Sequence, residues 1–439
     1  MSKKLTLLLY NLLLPLGLVL MLPGALRKMR RRGGRWQDLG QRIGLLPPDK
    51  LAAVARLTRR EKPLWMHAVS VGEVGIATKL IQRLLKERPE TGIVLTTTTP
   101  TGHALAEEFA ARHAERMVVL YSPIDLRPVA HRFLALLRPA QIVLVEAEVW
   151  PNLVSIAKRW QIPVSLVNAR LSARSERRFR KFGALIRPVF GMLDQVMVQE
   201  KEDGARFVAL GVREERIFHT GSIKFDPQGP AVEEGQLDQL RTVLRAAGIA
   251  EGQPILLLAS THAGEEALLA RVYLELRRTF PDLALLIVPR HVERAEQVAQ
   301  DLLTLGLTAR RRSRVDGASA CLIIDTTGEL RAWQCLATVV VIGKSFLSVG
   351  GQNPAEAVMA KKPVLFGPHM ENFEALVDLL LAKGGAVQVA DPAALTAALA
   401  GLLADPTARA RLGESGHAVL QVHEGATQKT VARLFPEVC

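Results

Sequence analysis

Cysteine, acidic residues at the amino terminus, and the familiar nucleotide-binding and hydrolase signatures are all scarce in this chain. Only Cys321, Cys335 and Cys439 occur among 439 residues. They lack metal-ligand spacing and are too few for a disulfide framework, which points to a reducing compartment. No G-x-x-x-x-G-K-[ST], G-x-G-x-x-G or G-x-S-x-G is present, so there is no signal for a P-loop, a dinucleotide fingerprint or a nucleophile elbow. Asp-x-Asp is missing, which removes the usual metal–pyrophosphate bridge of many sugar-nucleotide enzymes, and the histidines lack H-E-x-x-H spacing. No metal and no other cofactor is therefore expected. Residues 1–36 hold no acid but eight basic residues, more than half of the net charge of +14. That concentration weakens a nucleic-acid reading and directs attention to a membrane.

Hydrophobic residues make up 49% and charged residues 23%, so a sizeable core is available and wholesale disorder is excluded. The length suggests two or three domains. Leu5 to Leu26 carries no charge, enough for ~33 Å of helix, about one bilayer core. Pro15, Gly17 and Pro23 leave a tilted or interfacial helix open. No A-x-A site follows the run, and Arg27, Lys28, Arg30, Arg31, Arg32 and Arg35 stand where a signal peptide should end, so the run is read as a retained anchor. The basic excess after it places the rest of the chain on the cytoplasmic side of a membrane, against an anionic surface. The arm is expected to have no partner in the βα series, which begins near Pro63.

From Pro63 short apolar runs alternate with helical patterns such as Ala77/Leu80/Ile81/Leu84/Leu85. Strands are expected at 64–70, 93–98, 117–121, 142–147, 163–167, 195–199 and 217–222, the rhythm of parallel βαβ units. Phe225-Asp-Pro-Gln-Gly-Pro230 interrupts it with turn residues and marks a boundary. A second series follows, near 255–259, 283–288, 321–324, 338–342, 363–367 and 386–389. The fold class is α/β: two Rossmann-like domains facing a central cleft, with an amino-terminal hydrophobic anchor. The divisions are 1–36, 37–226 and 227–439. In such sheets ligands lie beyond the carboxyl ends of the strands.

Several strand-to-helix junctions carry chemistry. In His67-Ala-Val-Ser-Val-Gly-Glu73, Glu73 serves either the helix dipole or, as a general base, a hydroxyl. Val145-Glu146-Ala-Glu148-Val-Trp150-Pro-Asn152 puts two acids at i, i+2, which on a strand point the same way; one of them alternatively caps the next helix. Residues 170–187 are dense in arginine, including Arg177, Arg178 and Arg180, interleaved with Phe179, Phe182, Leu185 and Ile186. Either a solvated face or an amphipathic membrane-facing helix fits. Lys224, in Gly221-Ser-Ile-Lys-Phe-Asp226, either neutralises a developing anion or pairs with Asp226. Arg290 after Val288-Pro289 suits a phosphate or carboxylate, and the loop Thr327-Gly328-Glu329 offers backbone N–H groups to an anion. Asn353-Pro354-Ala355-Glu356 reads as a capping box, or as a carboxylate for the hydroxyls of a ribose.

These segments, in this order, resemble the 3-deoxy-D-manno-octulosonic acid (Kdo) transferases of lipopolysaccharide assembly, membrane-anchored GT-B glycosyltransferases that use CMP-Kdo. The matching pieces are SVGE (70–73), TTTTPTG (96–102), VEAEVWPN (145–152), NARLSARS (168–175), EDGARFVALG (202–211) and GSIKFD (221–226). STHAGEE (260–266), IVPRH (287–291), DTTGEL (325–330), GGQNPAEA (350–357) and FGPHMENF (366–373) continue it. The resemblance implies that Glu73 is the catalytic base, with Glu146 and Lys224 assisting at the transition state. It assigns CMP contacts to Pro289, Arg290, Thr327, Gly328, Glu329, Asn353, Pro354, Ala355 and Glu356. It implies an inverting, metal-free transfer of Kdo to a lipid A precursor, with no nucleic-acid partner. One departure is Gly343-Lys344-Ser345, where the family commonly reads G-G-S; a charge there leaves the acceptor more open. A sugar-nucleotide 2-epimerase would not need the charge-free arm, and a lipid-binding module would leave Glu73 and Glu146 unexplained.

Overall fold

Short runs of Val, Ile and Leu form the strands, and the aliphatic content on both faces of each run suits a parallel sheet covered on two sides. The computed structural model describes residues 2–31, 36–171, 176, 177, 179, 181–226 and 232–436. The chain forms two compact units, Met1–Asp226 with Gly425–Cys439, and Pro227–Glu424.

In the first unit the strands are β1 (Leu64–Ala68), β2 (Ile93–Thr97), β3 (Met117–Tyr121), β4 (Gln141–Val145), β5 (Val164–Ala169), β6 (Gln195–Val198) and β7 (Ile217–His219). Their spatial order is β3-β2-β1-β4-β5-β6-β7, all parallel. Alternation splits β1 between two cores: Trp65 packs with Phe133 and Leu144 on one face, while Leu64, Met66 and Ala68 join Leu80 and Ile81 on the other. The second unit holds β8 (Ile255–Thr261), β9 (Ala284–Pro289), β10 (Arg310–Arg311), β11 (Cys321–Ile323), β12 (Val339–Ile342), β13 (Val364–Phe366) and β14 (Val387–Gln388). Their order is β10-β11-β9-β8-β12-β13-β14, again parallel. The strands therefore stand within a few residues of their expected positions. Only β10 was unexpected, because two arginines carry no hydrophobic signal.

Chain order reverses direction across each sheet between β1 and β4, and between β8 and β12. Such switch points open a crevice at the carboxyl ends of the strands.

Two expectations need correction. The last residues do not stay with the second unit. Helix Ala426–Leu434 packs Ala426, Val431 and Leu434 into the core beneath helix Val71–Glu87. Asp226 holds that return, its carboxylate accepting from the backbone N–H of Gly425 at 2.9 Å and Thr427 at 2.7 Å. Nor is the amino-terminal arm without a partner. Helix Lys3–Arg31 runs unbroken through Pro15 and Pro23 and packs against helices Pro151–Arg159 and Gly183–Phe190. Leu5, Leu8, Leu12, Leu13, Leu16, Val19 and Leu20 remain exposed on it, and Lys3–Leu20 is apolar and long enough to cross a membrane.

Removing side-chain volume from the returning helix should loosen the first unit. Leu434→Ala is expected to cost about 2–3 kcal/mol through the cavity it leaves. In thermal unfolding followed by limited proteolysis, protection should fall in Met1–Asp226 while Pro227–Glu424 keeps its own.

Candidate active site

Each unit presents its candidate residues beyond the carboxyl ends of its strands. In the first, β1 runs through Val69 into helix Val71–Glu87, capped by Ser70, whose hydroxyl accepts from the Glu73 N–H at 3.3 Å. The Glu73 carboxylate turns back on this cap: Oε1 accepts from the Ser70 hydroxyl at 3.0 Å and Oε2 from the Val69 N–H at 2.9 Å. Glu73 is 7% exposed, and burial raises its pKa although these hydrogen bonds oppose the rise. Each carboxylate oxygen accepts a single bond, so lone pairs remain for an incoming proton.

Glu146 and Glu148 were expected on a strand, pointing the same way. Instead β4 ends at Val145, and Glu146 turns left-handed at φ +62°, its N–H still donating to Val167 O at 2.9 Å. The two acids come together with Glu73 through this turn rather than through alternation. Burial raises the pKa of Glu146, Glu73 raises it further, Lys224 and Arg170 lower it, and Glu148 adds a smaller rise. Glu148 is raised by burial and by Glu73. Lys224 is exposed and its ammonium stands 5.8 Å from the Phe225 ring. Its plain alternative, a pair with Asp226, is replaced by the seating of helix Ala426–Leu434. The Lys224 turn is held from below. Lys79 Nζ donates to the carbonyls of Ile223 and Lys224 at 3.3 and 3.2 Å, and Asn168 Oδ1 accepts from the Ile223 N–H at 2.9 Å. Lys79 gave no sequence signal, being one lysine on an amphipathic helix.

His67 on β1 stands beside this group as a structural residue. Burial, with the charge of Arg42, pushes its pKa down to about 4. The neutral ring accepts from Trp150 Nε1 at 3.2 Å through Nε2, which leaves Nδ1 to donate to Thr96 Oγ1 at 2.9 Å. Of the arginines expected to approach a membrane, Arg177 is exposed on a helical residue; Arg178 and Arg180 lie outside the described residues.

In the second unit, Gly343 follows β12 where a side chain would come within 2.6 Å of the Ser260 carbonyl oxygen, so only glycine fits beside the end of β8. Ser260 and Lys344 are both left-handed, each at φ +56°. Glu265 locks this junction. Fully buried, it accepts from the N–H groups of His262 (3.0 Å), Lys344 (2.6 Å), Ser345 (2.9 Å) and Phe346 (3.1 Å). Its neighbour Glu266 takes Arg294 through both oxygens, at 2.8 and 3.2 Å. Neither was singled out from the sequence, although paired acids after a helix-capping glycine are a usable signal. His262 stands 6.0 Å from His291, ring to ring, and meets Gln352 at 3.1 Å. Burial lowers its pKa, and the charges of Lys344, His291 and Arg294 add to that while Glu265 opposes it. Positive groups thus gather at this strand edge, where an anion would be stabilised.

Pro289 ends β9 and is buried, and Arg290 beyond it is exposed. Thr327 and Gly328 are exposed on the loop after β11. Glu329, by contrast, is tied down by Arg312 (3.1 Å), Thr326 (2.5 Å) and Trp333 (3.3 Å). The expected capping box at Asn353–Glu356 does not form. Helix Ala355–Met359 starts later, with Pro354 at its cap, and Asn353 Oδ1 accepts from the Ala355 N–H at 3.1 Å. The half-buried Glu356 has its pKa raised by burial and lowered by Arg331. Among the described residues, no three His, Cys, Asp or Glu side chains are grouped to hold a metal ion.

Residues 37–227 match the profile of the family described as 3-deoxy-D-manno-octulosonic-acid transferase (kdotransferase). The 3-deoxy-D-manno-octulosonic acid transferase of Bordetella pertussis is 37% identical over 93% of this chain and 94% of its own length. The chain belongs to this family. As a Kdo transferase it is a glycosyltransferase enzyme. The Haemophilus influenzae Kdo transferase is 34% identical over 85% of this chain and 86% of its own. Among solved structures, the C-terminal CMP-Kdo binding domain of WaaA from Acinetobacter baumannii aligns with 43% of this chain and 100% of its own, at 26% identity and a TM-score of 0.40. The UDP-GlcNAc 2-epimerase of Neisseria meningitidis covers 85% of this chain and 99% of its own, at 13% identity and a TM-score of 0.42.

In this Kdo transferase the junction around Glu265 should be indispensable to the second unit. Glu265→Ala leaves four N–H groups, one of them buried and three partly so, without their acceptor and is expected to cost at least about 3 kcal/mol. Glu265→Gln should fall between it and the wild type when unfolding midpoints are compared in urea.

Proposed function

We propose that the chain transfers Kdo from CMP-Kdo to a hydroxyl of a lipid A precursor, a tetraacyl disaccharide bisphosphate, with inversion at the anomeric carbon. The observation that carries this reading is the seat of Glu73: a buried carboxylate of raised proton affinity at the first switch-point strand, beside Glu146 and Glu148. A base of raised pKa is better matched to removing a hydroxyl proton near neutrality. Glu73 takes that proton, the hydroxyl oxygen attacks the anomeric carbon, and the bond to the CMP phosphate breaks. Lys224 offsets the negative charge gathered by the three acids, and Glu146 holds Lys224 and Arg170 close by its own charge.

On the donor side, Pro289, Arg290, Thr327, Gly328, Asn353, Pro354, Ala355 and Glu356 receive CMP. Glu329 acts there by shaping the loop, because its carboxylate is already committed to Arg312, Thr326 and Trp333. The leaving group carries one phosphate, which Arg290 and backbone N–H groups neutralise without a metal ion. The apolar helix holds the enzyme at the inner membrane with both units on the cytoplasmic face. The basic residues after it, with Arg177, Arg178 and Arg180, attract an anionic surface through their charge.

Glu73→Gln should lower transfer by about 10²–10⁴-fold while CMP-Kdo still binds. Because a base works only when ionised and the pKa of Glu73 is raised, the rate should fall as pH falls, along an acid limb placed higher than that of an ordinary glutamate. A variant keeping more than about a tenth of wild-type turnover, or the same limb, would remove Glu73 from the role.

Transfer should also persist in excess EDTA. Activity lost to the chelator and restored by Mg²⁺ would overturn the metal-free mechanism.

A further inference from the structure

A tether needs only apolar length, yet the anchor helix carries adjacent polar residues, Tyr10 and Asn11, and both are committed to the first unit. The Tyr10 hydroxyl hydrogen-bonds the Asp125 carboxylate. Asn11 and Asn152 exchange side-chain amide hydrogen bonds in both directions, at 3.0 and 2.9 Å. Asp125 is 2% exposed, with its pKa pushed up to about 6 by burial. It also accepts from the N–H groups of Asn152 (2.9 Å) and Leu153 (2.8 Å), in the first turn of helix Pro151–Arg159. The anchor therefore grips the start of that helix through two side chains that themselves define where it begins.

What precedes this helix is the segment with Glu146 and Glu148. At one end Val145 is fixed in β4. At the other, Trp150 is held by His67 on β1, and Asn152 by Asp125 and Asn11. Between them Glu146 keeps its N–H on the Val167 carbonyl and Ala147 and Val149 pack against the core, while Glu146 itself is in a left-handed conformation that costs on the order of 1 kcal/mol in a non-glycine residue. The placement of both acids against Glu73 depends on the clamps at the two ends, and one of those is shared with the anchor.

We propose that Tyr10 and Asn11 are positioning residues for transfer: seated on Asp125 and Asn152, the anchor helix fixes the segment that carries Glu146 and Glu148 beside Glu73. The anchor is then part of the catalytic unit, and a chain whose anchor is unseated transfers poorly even to acceptor that is freely dispersed. This rests on the reading of Glu73 as the base.

The test uses the full chain in detergent micelles with dispersed acceptor and CMP-Kdo. Tyr10→Phe and Asn11→Leu both keep the helix apolar, so micelle association is retained. Turnover should fall about threefold for Tyr10→Phe and about tenfold for Asn11→Leu, with KM for CMP-Kdo within about twofold of wild type. The acid limb of turnover should also move to lower pH. Burial raises the proton affinity of Glu73, and a segment that relaxes away admits water to the carboxylate, which lowers that affinity. A mere loss of folded enzyme scales the profile without moving it. Asn11→Leu combined with Asn152→Leu should cost no more than Asn152→Leu alone, since that change already removes the pair together with the Asn152 amide bond to the Asp125 carbonyl. If Asn11→Leu does not fold, Tyr10→Phe, which deletes one hydroxyl, carries the test. Variants with wild-type turnover and an unmoved limb overturn the seating, leaving the base assignment intact if Glu73→Gln is inactive in parallel. An active Glu73→Gln overturns both.

Discussion

Parallel strands covered on both faces have no solvated side, so polar chemistry in this enzyme is driven to the strand ends. That constraint shapes both units. The β1/β4 and β8/β12 switch points collect the buried acids, the glycine contact at Gly343, and left-handed Glu146, Ser260 and Lys344. With left-handed Asn168 at the end of β5, four of the seven non-glycine residues of positive φ among those described lie at such ends. Strain of this kind persists only where the surroundings over-determine it. Here those surroundings are strand pairing on one side and a capped helix on the other.

Buried carboxylates recur as clamps, and their degree of saturation separates structure from chemistry. Glu265 accepts four N–H groups and Asp226 joins two distant segments, so each has its charge spent on holding the backbone. Glu73 accepts one bond per oxygen, and its cap is its own helix start. Glu146 and Glu148 raise the local density of negative charge, which Lys224 and Arg170 only partly offset. The resulting site holds protons more tightly than isolated carboxylates would, which suits the role proposed for Glu73.

The amino-terminal helix has two unlike sides. Its exposed band of leucines meets the physical requirement of a lipid-facing surface. Its buried Thr6, with Tyr10 and Asn11, meets the requirement of a protein-facing one. An asparagine in an apolar helix is tolerated when its amide is fully engaged, and Asn11 also bonds the Leu7 carbonyl at 2.7 Å.

Fold class, strand positions and the Asp226/Pro227 division were legible in the amino-acid order, because period and turn residues are local properties. Glu73 and Glu146 were legible as candidates because each stands at a strand-to-helix junction, and Lys224 because it stands in the turn before the domain boundary. What the sequence could not decide were pairings between segments far apart in the chain. The return of Leu434 to the first core, the seat of Tyr10 on Asp125, the hold of Lys79 on the Lys224 turn and the grip of Glu265 on Lys344 all join residues that no spacing rule relates. The turn at Glu146 and the late start of helix Ala355–Met359 likewise defied local rules, since strand ends and caps yield to whatever hydrogen bonds the neighbouring segments supply. Local propensity set the elements; tertiary contacts chose which acids were clamped shut and which were left able to take a proton.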